Sequence, residues 1–129
     1  MDIYSEILLD HYNYPHHAGT LKKPTVRVVK NNPLCGDTLG VDIAISKNNT
    51  LGDIAFSGSG CALSQAGMSL LAEHSIGKPL DELEAMTSDT MDTLLGTRVS
   101  PGRRTCADLG MSAVKEALGT IRKNKPKGK

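Results

Sequence analysis

Leu39-Gly40-Val41-Asp42-Ile43-Ala44-Ile45 is the stretch whose alternation decides the fold class. Leu39, Val41, Ile43 and Ile45 fall on one face of an extended chain, and Gly40, Asp42, Ala44 and Ser46 on the other. Successive side chains of a strand point to opposite faces, so this pattern predicts a strand with one face buried. Lys47-Asn48-Asn49 then supplies turn residues, and residues 51–57 carry Ile54 and Phe56, which predicts a hairpin to a further strand. Upstream, the Val-rich residues 25–30 behind Pro24 predict an earlier strand, ended by an Asn31-Asn32-Pro33 turn.

Helical spacing takes over on both sides of this sheet. Ile3, Ile7, Leu8 and Tyr12 predict a short amphipathic helix within residues 1–13, closed by Pro15 and Gly19. Leu63, Ala66, Leu70 and Leu71 share a face over residues 62–74, with Gly77 and Pro79 beyond. Residues 80–86 and 89–95 read as short helices, the second capped by Ser88 and stopped by Gly96. Leu109, Ala113, Val114, Ala117, Leu118 and Ile121 mark the longest helix, about residues 106–123. The order of one helix, three strands and then helices is an α+β pattern: a small three-stranded antiparallel sheet covered mainly on one face.

The chain length of 129 residues fits one domain, and 39% apolar content suffices for one core. With no Trp and one Phe, that core is aliphatic, and Met68, Met86, Met91 and Met111 are read as its fillers. The low aromatic content also argues against a nucleic-acid module, which would need stacking platforms among its basic residues. Net charge is +1, but residues 122–129 hold five of the 15 basic side chains and no acid. We read them as a basic, flexible, solvated tail on a body of about −4. No apolar run approaches the roughly 20 residues that span a bilayer, and no signal-peptide pattern opens the chain, so the expectation is a cytoplasmic protein without a membrane partner. Three widely spaced cysteines make a poor disulfide framework and a better set of thiols.

Those cysteines have similar local settings. Cys35 lies in Asn32-Pro33-Leu34-Cys35-Gly36-Asp37, where Gly36 allows a sharp turn between a thiol and a carboxylate. Cys61 follows Ser57-Gly58-Ser59-Gly60 at a strand-to-helix junction, and Cys106 begins the last helix. At a helix start, exposed backbone N–H groups favour an anionic sulfur. If the ends of these elements meet, three sulfurs and the Asp37 oxygen make a tetrahedral site for Zn2+ or hold an iron-sulfur cluster; otherwise the cysteines are buried and inert.

Four segments together resemble the IscU/SufU/NifU N-terminal family of iron-sulfur cluster assembly scaffolds. They are Asp10-His11-Tyr12 with Pro15 and Gly19; residues 32–37; Gly58-Ser59-Gly60-Cys61-Ala62 with Ser64; and Cys106-Ala107-Asp108-Leu109. The resemblance implies that Cys35, Asp37, Cys61 and Cys106 share one site for Zn2+ or an iron-sulfur cluster of the 2Fe-2S type. It also implies a cysteine desulfurase that delivers sulfur there as persulfide, with Cys35 or Cys106 as acceptor, and recipient apo-proteins or a downstream carrier that take the product. The IscU branch has a Leu-Pro-Pro-Val-Lys run for an Hsp70-type chaperone and a histidine just before the third cysteine. Here residues 99–106 read Val-Ser-Pro-Gly-Arg-Arg-Thr-Cys, with neither feature, so such a chaperone is not expected. Pro101, Arg103 and Cys106-Ala107 resemble the SufU branch, which usually binds zinc and accepts sulfur. That branch's common insertion between the second and third cysteines is absent here, and Thr105 replaces its usual lysine.

The resemblance casts the chain as a sulfur acceptor acting beside a desulfurase, either cluster scaffold or zinc-dependent sulfur relay. Arg103 and Arg104 are candidates for docking an acidic partner surface or steadying a persulfide. His16 and His17, adjacent in a loop, read as a solvated pair, and His11 as a structural hydrogen-bonding residue. Two other readings stay open: a purely structural zinc domain, and a cysteine-nucleophile enzyme, for which no histidine lies near a cysteine in sequence.

Overall fold

A computed structural model describes residues 6–32, 36–96 and 98–124, without the side chains of 6–8 and 122–124. The elements in chain order are α1 (Glu6–Asn13), β1 (Val26–Asn32), β2 (Asp37–Ile45), β3 (Leu51–Ser59), α2 (Ala62–Ser75), α3 (Leu80–Glu84), α4 (Ser88–Leu95), a single 3-10 turn (Pro101–Arg103) and α5 (Arg104–Asn124). The three strands form one antiparallel sheet in the order β1-β2-β3. The α+β architecture expected from the alternation of residues 39–45 is therefore the observed one.

Leu39, Val41 and Ile43 are fully buried, and they meet Val28 from β1, and Ile54 and Phe56 from β3, on the face covered by α2 and α5. Met68, Leu71 and Ala72 of α2 and Met111, Val114, Ala117 and Leu118 of α5 complete that core. Each buried Val, Leu, Ile, Phe or Met side chain of this core contributes about 1.5–3 kcal/mol, and the alanines less. Met86 and Met91 are buried as well, so Met68, Met86, Met91 and Met111 all fill the interior. Ile45 departs from the expected alternation: a register shift between Ala44 and Ile45 turns it partly out of the core. Asp42, on the opposite face, is nonetheless buried, because residues 17–25 fold across that side. There Asp42 accepts hydrogen bonds from Arg27 (2.6 and 2.9 Å) and from the Leu21 N–H (3.0 Å), and Ala18 bridges to Phe56.

Several boundaries differ from the sequence reading. Asn31 and Asn32 are the last residues of β1 and not a turn: Asn31 faces Thr38 and Asn32 faces Asp37 across the ladder, and the Thr38 hydroxyl donates to Asn31 Oδ1 at 2.9 Å. Cross-strand pairing overrides the turn preference of asparagine. Ser88 does not cap α4. Thr87 holds the cap position, its N–H donating to Thr90 Oγ1, while Ser88 Oγ donates to Asp108 Oδ2 at 2.6 Å. The last helix begins at Arg104 and runs to Asn124, so it takes in the first three of residues 122–129; residues 125–129, like 1–5, lie outside the described residues.

Candidate functional site

One rim of the sheet gathers the paired ends of β1 and β2 at Asn32 and Asp37, the end of β3 running into α2, and the start of α5. Asp37, the first residue of β2, is only 1% exposed. Its Oδ1 accepts the Cys61 N–H at 2.9 Å, and its Oδ2 lies 3.5 Å from Cys61 Sγ. This approach depends on Gly60, where φ is +153° and a Cβ would come within 2.3 Å of Asp37 Oδ1. At Gly36, φ of +73° lets the N–H return to the Asn32 carbonyl at 2.8 Å and close the turn.

Cys61 holds the N-cap position of α2 in extended conformation, exposed and making no side-chain cap bond of its own. Its sulfur also contacts Ser64 Oγ at 3.8 Å, and Ser64 donates back to the Cys61 carbonyl at 3.1 Å. Cys106 sits in the first turn of α5, half-buried, and receives a hydrogen bond from buried Asn32 Nδ2 at 3.7 Å. Asn32 was not singled out from sequence as a functional side chain. Its place three residues before Cys35 was the available signal; its aim at Cys106, 74 residues on, was not.

The ligand atoms of Asp37, Cys61 and Cys106 all lie within 4.8 Å of one another. A tetrahedral site with bonds of about 2.0–2.3 Å has edges of about 3.3–3.8 Å, so the 3.5 Å Asp37–Cys61 separation already matches one edge. Two sulfurs and a carboxylate this close repel one another when ionised, and a cation removes that repulsion. The donor set therefore fits a thiophilic metal. Cys35, the fourth expected ligand, lies outside the described residues.

The paired arginines behave differently from each other. Arg104 is committed within the fold: it donates to Asp92 at 2.8 Å, to Asp108 at 2.8 and 3.0 Å, and to the Ser88 carbonyl at 3.3 Å. The Asp108 hydrogen bond, above all, holds its guanidinium more firmly protonated than usual. Burial would raise the Asp92 carboxyl, but hydrogen bonds from Arg104 and the Val99 N–H bring it below the usual range. The docking role considered for Arg104 is thus replaced by a structural one, tying α4 to α5. Arg103 is exposed. Beside Cys106, a cavity of about 440 Å3 is lined by Lys30, Asn32, Arg104, Thr105, Asp108 and Ser112. No described helix is long and apolar enough to cross a membrane.

Comparison with known proteins gives the same family from sequence and from fold. The family model described as "NifU-like N terminal domain" matches residues 3–127. The chain is 30% identical to the iron-sulfur cluster assembly scaffold protein IscU of Streptococcus pyogenes, over 90% of this chain and 82% of that protein. It is 28% identical to the zinc-dependent sulfurtransferase SufU of Bacillus subtilis, over 90% of this chain and 89% of that protein. The crystal structure of a NifU-like N-terminal protein from Brucella abortus superposes with a TM-score of 0.79 at 25% identity, covering 95% of this chain and 96% of that one.

Proposed function

The chain belongs to the NifU-like N-terminal domain family, and from that premise we propose that it is an iron-sulfur cluster assembly protein. It accepts sulfur from a cysteine desulfurase at a site formed by Cys35, Asp37, Cys61 and Cys106. The observation that carries this reading is the convergence of Asp37, Cys61 and Cys106 within 4.8 Å.

Sulfur arrives by persulfide exchange. A thiolate of this chain, Cys35 with Cys106 as its rival, attacks the terminal sulfur of the desulfurase's Cys-S-SH. The partner's S–S bond breaks, its thiolate leaves, and the persulfide forms here with no net oxidation or reduction. Asn32 Nδ2, donating to Cys106 Sγ, favours the anionic form of that sulfur, and exposed Arg103 at the head of α5 is the docking residue for the desulfurase. Iron and the assembled cluster are cargo, handed on to recipient apo-proteins or a carrier. Where Zn2+ is resident, the same four residues hold it, and its charge keeps their thiolates deprotonated. Asp37 is the harder donor and exchanges more readily than a fourth thiolate would, which suits a site that must release what it holds.

A second reading, zinc-dependent sulfur relay without a cluster of its own, is favoured by the SufU relative and by Pro101 and Arg103. Incubation with a cysteine desulfurase and cysteine, with and without iron, separates the two. A visible cluster chromophore is the scaffold result; stimulated turnover and a persulfide without chromophore is the relay result. Metal analysis of wild type beside Cys35→Ala and Asp37→Ala tests the site itself, with about one Zn2+ expected at these four residues in wild type and that equivalent lost in both variants. Undiminished metal in both variants would sink the assignment.

A further inference from the structure

A second cluster of ligand atoms lies away from the cysteines. His11 on α1, His16 in the following loop and Glu73 near the end of α2 bring one ligand atom each within 4.8 Å of the others. Glu73 is 12 residues beyond Cys61, about 18 Å along the helix at 1.5 Å per residue, so one ion cannot serve both clusters. The His11 and His16 rings stand 4.4 Å apart between centroids, tilted by 42°. His16 Nδ1 contacts Glu73 Oε2. The two histidines, which share no face of a common element in the sequence, meet because the loop after α1 folds back over α2.

A surface ion pair between His16 and Glu73 is worth little and accounts for only two of these groups. It does not involve the third, a ring only 6% exposed, brought to the same point from another element. The fully buried Ser69, one turn before Glu73, is the orienting group: its Oγ lies 2.7 Å from His11 Nδ1 and accepts the His16 N–H at 2.7 Å. When His11 Nδ1 donates to Ser69, its Nε2 lone pair is free, the arrangement in which imidazoles bind metals. His16 and Glu73 are exposed, so an ion and its waters can enter.

We propose that His11, His16 and Glu73 form a second metal site, taking a first-row divalent transition cation through two imidazole nitrogens and one carboxylate oxygen. Two nitrogens and an oxygen select zinc or ferrous-type ions over magnesium or calcium, and three protein ligands leave open positions for water. The site is independent of the cysteine cluster in position and in donor chemistry, so it stands whether or not the cysteines carry a metal.

The test uses Zn2+ and Co2+ as probes on the full chain with Cys35, Cys61 and Cys106 all changed to Ser, its fold checked by circular dichroism. The expected result is about one equivalent of either ion, with the Co2+ form lacking intense sulfur-to-metal charge-transfer absorption. His16→Ala combined with Glu73→Gln, both exposed positions, should abolish that equivalent, and Ser69→Ala should weaken it about 10–100-fold. If the cysteine-free chain does not fold, the wild-type chain serves: the His16→Ala/Glu73→Gln pair should lower total Zn2+ by one equivalent. A folded cysteine-free chain that binds neither ion, or an equivalent that survives the His16/Glu73 substitutions in either background, overturns the proposal.

Discussion

Adding one methyl group at Gly60 should damage both the fold and the cysteine cluster. The residue sits at φ +153°, where side-chain-bearing residues are strained by about 1–3 kcal/mol. The new Cβ would meet Asp37 Oδ1 at 2.3 Å, Cγ at 2.6 Å and Cβ at 2.9 Å. Asp37 is almost fully buried and cannot swing into solvent, so the clash adds the cost of overpacking, about 1–3 kcal/mol. Movement that relieves the clash also stretches the Cys61 N–H bond to Oδ1, so the contributions overlap. The net expectation for Gly60→Ala is a loss of about 3 kcal/mol, more than a hundredfold in the folded-to-unfolded ratio. Urea denaturation of the metal-free protein measures it, and Zn2+ affinity should fall in parallel because Asp37 and Cys61 separate. Gly119→Ala is the internal control. That glycine lies within α5 with nothing within 4 Å of the added Cβ, so the change should stabilise by about 0.5–1 kcal/mol. Gly60→Ala stability within about 0.5 kcal/mol of wild type, with unchanged Zn2+ affinity, would refute the account of that junction.

Three further outcomes follow from single contacts. Arg104→Ala should destabilise the protein by about 2 kcal/mol, since Asp92, Asp108 and the Ser88 carbonyl lose their common donor; Arg104→Lys should recover little because the two-pronged geometry is lost, both read from thermal or urea melts. Asn32→Ala should weaken metal binding at the cysteine cluster about 10–100-fold while Asn32→Asp adds repulsion toward the Cys106 sulfur, measured by competition with a chromogenic chelator; equal affinities across wild type and both variants would remove Asn32 from the site. The Arg27 hydrogen bond, against burial and with help from the Leu21 N–H, holds the Asp42 carboxyl below its unfolded value of 3.8. Its stabilisation is therefore complete above that value and lost as pH falls through the lower folded value, so Asp42→Asn should flatten the acid limb of a stability profile taken from about pH 5 to about pH 2.

Much of the fold was legible because it rests on local periodicity. The alternation of residues 39–45 and the 3.6-residue spacing in α2 and α5 report which face must be buried, and burial dominates the energetics. Boundaries were less legible where a residue's own preference and its tertiary pairing disagree. Asn31 and Asn32 favour turns in isolation, yet cross-strand bonds to Thr38 and pairing with Asp37 keep them in β1. Ser88 has the chemistry of a cap, but Asp108 claims its hydroxyl.

The same division holds for function. Residue types and order alone mark Cys35, Asp37, Cys61 and Cys106 as chemically able to act together, since thiols and a carboxylate beside glycine turns and helix starts are a donor set whatever the fold. Distance is a different matter. That Asp37, Cys61 and Cys106 meet at one sheet rim, that Asn32 reaches Cys106, and that Arg104 is committed to Asp92 and Asp108 are decided only by tertiary packing. So is the meeting of His11 and His16 with Glu73, because the helix face and the loop that join them are set by how α1 lies against α2. A sequence specifies which atoms can bind; the chain's packing specifies which of them are close enough to do so.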